Sequence, residues 1–265
     1  LTGLSPRDHG VVDNLLHSPG AGPWDWNWHR SRIRGDTVAD AAQRAGCRVG
    51  ALLWPGLAGA RLSAVFPEIM ADPARGENQV WLVLRNGSPG LVLRAEWRFG
   101  RIRRGSRQPE LDDYITALAC DLLRRRRVDL LLLHLVDLDD FQHGRGPDDP
   151  GIGDGLVRMD RRIGRIRDAL RETHGPGGIR LVVLGDHAQL PATDRLDLSA
   201  CLRARFPSDP PRVLMDGGCA YVGPREDAEW RRYLESLPQA ARVLGPDEMA
   251  RESTGQPGDG FPFLV

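Results

Sequence analysis

Apolar residues in this chain form two kinds of pattern: short continuous runs, and longer stretches that repeat every three or four positions. The runs have the length of β-strands, and those at residues 128–136 and 179–184 are apolar enough to be buried on both faces of a parallel sheet. We predict strands at residues 48–54, 79–84, 128–136, 179–184 and 212–215. The longer repeats predict helices at residues 111–127, 155–171, 198–206 and 227–237.

The order of these segments, strand then helix then strand, indicates an α/β fold. Parallel strands are joined by helical crossovers, so we predict a doubly wound, largely parallel sheet with helices on both faces. A length of 265 residues suits one large domain or two small ones. Since the sequence contains no internal repeat and no low-complexity segment, we interpret residues 1–265 as a single domain.

Charge and composition exclude several classes of function. The 36 basic and 36 acidic residues cancel, so the net charge does not favour nucleic acid or an anionic membrane as a partner. All the basic residues are arginines, which excludes a P-loop and a Schiff-base lysine. No apolar run reaches the ~18 residues of a membrane segment. The sequence leaves the oligomeric state open.

The cysteines and the chain ends indicate the context of the protein. Cys47, Cys120, Cys201 and Cys219 include no Cys-x-x-Cys pair, which argues against a zinc ribbon and a secreted disulfide framework. This pattern favours a reducing cytoplasm, with export left open. The chain begins with Leu1 and ends on an apolar run, so we expect it to be a fragment that lacks N-terminal and C-terminal portions.

Residues of metal-ligand type follow two of the predicted strands. The strand at 128–136 is followed by Asp137, Asp139, Asp140 and His143, and the strand at 179–184 by Asp186 and His187. Ligands of α/β sheets bind beyond the carboxyl ends of the strands, and carboxylate and imidazole groups are common ligands of divalent zinc. Asp137 could instead be a carboxylate that orients an imidazole.

These motifs resemble the alkaline phosphatase superfamily. Asp139-x-x-x-His143 and Gly185-Asp186-His187 stand in the order found there, after buried strands. The opening Thr-Gly-Leu-Ser-Pro-Arg-Asp-His-Gly-Val-Val-Asp-Asn, which ends at Asn14, is similar to a stretch of the nucleotide pyrophosphatases/phosphodiesterases. Trp54-Pro55-Gly56 also resembles a segment of that family. The resemblance covers nearly the whole chain and implies an alkaline phosphatase-like catalytic core.

The resemblance implies a site with two divalent metal ions, zinc or alternatively manganese. Asp186 and His187 would help to hold the ion that activates the nucleophile, and Asp139 and His143 would help to hold the second ion. The family uses a threonine or serine nucleophile, which is expected upstream of Leu1, together with a further ligand for each ion outside the chain.

Two further residues are expected to contact the substrate. Asn14 matches an asparagine that hydrogen-bonds a non-bridging phosphate oxygen, and His134 falls where the family often has a tyrosine beside the nucleobase. The implied function is metal-dependent hydrolysis of phosphodiester or pyrophosphate bonds in a small-molecule phosphodiester or nucleotide. The alternatives are a phosphomonoesterase of the same superfamily and a catalytically silent phosphate-binding module.

Other histidines and tryptophans receive structural interpretations. His9 is expected to cap the turn that contains it, and His17, His29 and His174 are expected at the surface or in loops. Trp24, Trp26 and Trp28 are interpreted as anchors of a packed loop.

Overall fold

A computed structural model describes residues 1–16, 25–175, 177–192, 194–224, 226–252, 254, 261 and 263–265. His17 and Trp24 lie outside the described residues. The helices are α1 (Pro6–His9), α2 (Val38–Arg44), α3 (Gln79–Asn86), α4 (Pro89–Phe99), α5 (Glu110–Arg124), α6 (Asp137–Arg145), α7 (Ile152–His174), α8 (Leu198–Arg205), α9 (Ala228–Glu235) and α10 (Pro246–Glu252). The strands are β1 (Val49–Leu52), β2 (Ala64–Phe66), β3 (Leu130–Leu133), β4 (Arg212–Asp216), β5 (Cys219–Gly223) and β6 (Phe263–Leu264).

A three-stranded parallel sheet forms the centre of one compact unit, Val38–Ala192. Its strand order is β2-β1-β3, with Gly50 opposite Ala64 in one pair and Leu131 in the other. The predicted strands at residues 48–54 and 128–136 are confirmed as β1 and β3. Because β2 and β3 both run parallel to β1, the chain must cross over between them, and α3, α4 and α5 form that crossover.

Helices cover both faces of this sheet, as the α/β prediction requires. Successive side chains of a strand point to opposite faces. Val49 and Ala51 of β1 pack with Ala39 of α2 on one face, whereas Leu52 lies in a larger cluster on the other. That cluster is built around the buried face of α5 and includes Val92, Tyr114, Leu118, Ile166 and Ala169.

Two of the strand predictions are wrong. Residues 79–84 form most of α3, because the Asn78 carboxamide oxygen accepts hydrogen bonds from the Val80 and Trp81 amides (3.0 and 3.1 Å) and caps a helix. Residues 179–184 form no strand, and no described strand pairs with them. The four apolar residues at 181–184 are exposed, from 42% at Leu181 to 77% at Val182.

The second compact unit consists of Leu1–Thr37 and Thr193–Val265 and contains a three-stranded antiparallel sheet, β4-β5-β6. Residues 212–215 are a strand as predicted, whereas β5 and β6 were missed. The core of this unit joins helices α8 and α9 to the sheet through Leu198, Leu202, Val222, Trp230, Leu234 and Phe263. Trp26 and Trp28 stack with 5.0 Å between ring centroids, consistent with a packed loop anchor. None of the described helices combines the length and apolar character that a membrane crossing requires.

Candidate functional site

The first half of the candidate site lies on α6, which begins shortly after β3 at the carboxyl edge of the parallel sheet. Asp139 and His143 are four residues apart, so they lie on the same face of the helix, one turn after the other. The distance from His143 Nε2 to Asp139 Oδ1 is 3.5 Å. Both side chains are open to solvent, with 41% of Asp139 and 71% of His143 exposed.

The second half of the site follows the irregular segment 179–184, and the structure brings it to the first. His187 Nε2 lies 3.9 Å from Asp139 Oδ1 and 3.6 Å from Asp186 Oδ2. The His187 amide also donates to Asp186 Oδ1 at 3.0 Å, which holds the carboxylate beside its own backbone. All four of the residues predicted as metal ligands therefore lie in one cluster, and Asp139 connects its two halves.

His134 borders this cluster and is more enclosed than the four predicted ligands, with 22% of its side chain exposed. Its Nδ1 lies 3.1 Å from the Leu53 carbonyl oxygen and 3.5 Å from Glu68 Oε1, and its Nε2 lies 3.8 Å from Asp186 Oδ2. Burial lowers the pKa of His134, but the hydrogen bond and charge of Glu68, with the charge of Asp186, outweigh it, so the pKa is raised. Two carboxylates thus favour a protonated imidazole at the edge of the cluster.

Sequence reasoning missed two members of the cluster, Gln189 and Glu68. Gln189 Nε2 donates to Asp139 Oδ1 at 2.8 Å, so the carboxamide orients the carboxylate that joins the two halves. Glu68 follows β2 at the same edge of the sheet. The rule that sites lie beyond the strand ends would have found Glu68, had β2 been predicted.

Asn14 belongs to the other compact unit, and its contact with a phosphate stays a prediction. Its side chain is exposed, and its backbone carbonyl accepts from the Asn27 amide at 2.8 Å. His9 in the same unit accepts from the Val11 amide through Nδ1 at 3.2 Å, consistent with the predicted turn cap. Asp137 does not orient an imidazole: its carboxylate is buried and pairs with Arg158 and Arg162.

The residue types of the cluster suit a divalent ion, but their arrangement does not complete a binding site. Two ligands of a tetrahedral zinc ion are about 3.3 Å apart, and the imidazole–carboxylate separations of 3.5–3.9 Å are close to that value. Within the part of the chain that the structure describes, however, no three His, Cys, Asp or Glu side chains are arranged to hold one ion. The cluster therefore supplies pairs of ligands, and a complete zinc shell needs at least one more ligand for each pair.

Several known proteins are similar to this chain in sequence or in structure. Human ectonucleotide pyrophosphatase/phosphodiesterase family member 1 is 22% identical over 198 residues, which are 71% of this chain and 17% of that protein. Phosphonoacetate hydrolase from Sinorhizobium meliloti 1021 superimposes with a TM-score of 0.62 at 19% identity, over 98% of this chain and 65% of that one. Murine ectonucleotide pyrophosphatase/phosphodiesterase 5 also gives a TM-score of 0.62 at 19% identity, over 100% of this chain and 64% of that one.

These likenesses differ in what they establish. The two structures show the fold, which this chain shares with the phosphonoacetate hydrolase and with the murine protein. The chain spans only 17% of the length of the human relative. The family model of type I phosphodiesterases/nucleotide pyrophosphatases, by contrast, matches residues 1–245. Since this match covers most of the 265 residues, the chain belongs to the type I phosphodiesterase/nucleotide pyrophosphatase family.

Proposed function

We propose that the protein that contains this chain hydrolyses phosphodiester or pyrophosphate bonds in a small-molecule phosphodiester or nucleotide, with two divalent metal ions as cofactors. One observation supports this proposal most strongly. In a chain of the phosphodiesterase/nucleotide pyrophosphatase family, the imidazoles of His143 and His187 both lie within 3.9 Å of one carboxylate oxygen, Asp139 Oδ1. Two segments far apart in sequence thus present metal-ligand groups at the same place.

Each ion is assigned two of the four ligands. Asp139 and His143 contribute to one ion, and Asp186 and His187 to the other. Zinc suits carboxylate and imidazole ligands, and manganese is the alternative. When bound, such ions supply positive charge that stabilises the transferred phosphoryl group and lowers the pKa of the attacking hydroxyl. Gln189 holds the Asp139 carboxylate by its 2.8 Å hydrogen bond, so that this ligand keeps one orientation.

The remaining residues act on the substrate. A phosphodiester carries a negative charge that repels nucleophiles, and in the transition state this charge lies on the equatorial oxygens. His134, whose Nε2 lies 3.8 Å from Asp186 Oδ2 at the edge of the cluster, contacts the substrate there. Glu68 and the Leu53 carbonyl fix the His134 ring by their contacts with Nδ1.

Replacing a ligand tests this function in the full-length protein. We expect Asp186→Ala and His143→Ala to lower kcat/KM for bis(p-nitrophenyl) phosphate by more than about 100-fold, because even partners of metal ligands contribute about 10- to 100-fold. Both side chains are more than half exposed, so Tm should change by less than about 2 °C. His174→Ala, at the end of α7, is the matched control and should keep full activity.

Two further measurements separate this function from its alternatives. Removal of metal with EDTA should abolish hydrolysis, and zinc or manganese should restore it. Preference for p-nitrophenyl phosphate over the diester would instead identify a phosphomonoesterase. Phosphate binding without turnover of either ester would identify a silent binding module. Full activity of Asp186→Ala and His143→Ala would refute the assignment of the ligands.

A further inference from the structure

Helix α6 carries Asp139 and His143, yet it has no cap of its own. The residue at its N-cap position is Val136, which has no side-chain oxygen, and no side-chain hydrogen bond from that position caps the helix. The first amides of a helix have no partner within the helix, so a start of this kind needs an acceptor from elsewhere.

Asp112 of α5 supplies that acceptor. Its Oδ1 accepts from the Val136 amide at 3.1 Å, and its Oδ2 accepts from the Asp137 amide at 2.9 Å. Asp112 is fully buried, and Gln108 Nε2 donates to its Oδ1 at 3.0 Å. Gln108 therefore holds the carboxylate within α5, while the same carboxylate binds the first amides of α6. A neighbouring helix thus caps α6 across the tertiary structure.

Arg162 of α7 completes the arrangement and is also buried, with 1% of the residue exposed. Its Nη1 donates to Asp137 Oδ2 at 2.6 Å and lies 3.7 Å from Asp112 Oδ2. Its Nε donates to Asp113 Oδ1 at 2.8 Å. Arg158, one turn earlier, contacts both oxygens of Asp137 at 2.8 and 3.0 Å. Three helices thus meet at the first residue of α6.

We propose that Asp112 and Arg162 are positioning residues that fix the start of α6 and thereby place Asp139 and His143 in the candidate site. Asp139 lies two residues after Asp137, within the first turn of the helix, so a shift of that turn moves its carboxylate directly. His143 follows one turn later. The effect on the reaction rests on the proposed function, whereas the placement of α6 does not.

Hydrogen–deuterium exchange of the full-length protein tests the placement. We expect Asp112→Asn and Arg162→Lys to speed exchange of the amides at 138–145 by about 10-fold or more, with β1 unchanged, because each substitution weakens the contacts that hold the start of α6. Asp121→Asn is the matched control. Asp121 is a buried carboxylate on the same helix as Asp112, about 13 Å further along it, and it contacts Arg94, Arg98 and Arg125 instead of α6.

Kinetics with bis(p-nitrophenyl) phosphate tests the consequence for the site. Asp112→Asn and Arg162→Lys should lower kcat by about 10-fold or more, with KM within about two-fold, and Asp121→Asn should leave both constants unchanged. If the buried variants fail to fold, Asp113→Asn removes a half-exposed partner of Arg162 and should give a smaller change with the same pattern.

The outcomes distinguish a failure of the positioning role from a failure of the proposed function. If α6 exchanges no faster in Asp112→Asn and Arg162→Lys than in Asp121→Asn, the positioning role is overturned. Faster exchange of α6 with unchanged kcat also overturns it. Faster exchange in a protein that hydrolyses neither ester supports the placement of α6 and refutes the proposed function alone.

Discussion

Asp139 and Asp121 show how differently two carboxylates of this chain are used. Asp139 is 41% exposed and lies among two imidazoles and the Gln189 carboxamide. Asp121 is 8% exposed and accepts three guanidinium groups, from Arg94, Arg98 and Arg125, at 2.9–3.2 Å. The open carboxylate can take an additional ligand, whereas the enclosed one is fully occupied by cations. Exposure therefore distinguishes a candidate functional carboxylate from a structural one.

The structural role of Asp121 predicts a pH-dependent effect on stability. Burial alone would raise its pKa, but the hydrogen bonds and charges of the arginines outweigh burial and lower the pKa below its usual 3.8. A lowered pKa in the folded state stabilises it fully above the unfolded value, and the contribution is lost as the pH falls through the folded value. Asp121→Asn should therefore cost about 1–3 kcal/mol at neutral pH.

Urea unfolding of wild type and Asp121→Asn at neutral pH and near pH 3 measures this effect. The difference in unfolding free energy should shrink on acidification, because the unfolded wild-type chain, in which the pKa of Asp121 is higher, binds a proton more readily than the folded chain does. A constant difference across that range would mean that the ionised carboxylate is not the source of the stability.

At the scale of elements, β1 depends on a close approach that only glycine permits. A Cβ on Gly50 would lie 2.8 Å from Val128 Cγ1 and 3.1 Å from Leu131 Cδ1, where β1 meets β3. Neither contact is relieved easily, because the strand is buried on both faces and valine has few rotamers. The pairing of the sheet thus requires the smallest side chain at its centre.

A matched pair of glycine substitutions tests this packing. Gly50→Ala should lower the unfolding free energy by about 1–3 kcal/mol through overpacking. Gly164→Ala lies within α7, where no atom approaches a new Cβ within 4 Å, so it should raise stability by about 0.5–1 kcal/mol through helix propensity. Both values come from urea unfolding. Equal effects of the two substitutions would contradict the packing argument.

The helices and strands also show where prediction from the sequence succeeds and where it fails. Continuous apolar runs identified β1 and β3, and apolar periodicity identified α5 and α7. Their apolar side chains contribute to the two clusters on the faces of the parallel sheet. It misassigned α3, because a five-residue apolar run suits a strand and a helix equally and the Asn78 cap decides between them. The motifs led to Asp139, His143, Asp186 and His187. They could not lead to Gln189 or Asp112, whose partners lie 50 and 24 residues away in sequence.

At the scale of the molecule, each compact unit has its own buried core. One lies on the two faces of the parallel sheet, and the other joins the antiparallel sheet to α8 and α9. That residues 1–265 form a single catalytic domain stays a prediction. Formal charges over the chain cancel to zero with neutral histidines, so separate molecules have little mutual repulsion at neutral pH.

The exposed apolar run at 181–184 has a consequence for the colloidal behaviour of this chain. Val182 and Leu184, 77% and 67% exposed, belong to an uncharged β-prone run of apolar residues at 181–184, and an exposed apolar run favours association between molecules. The chain should therefore self-associate reversibly as its concentration rises. Light scattering should show a larger monomer fraction for Val182→Thr/Leu184→Thr. Leu93→Thr, at an exposed position on α4, should change nothing, and an equal gain from it would assign the association to general surface hydrophobicity.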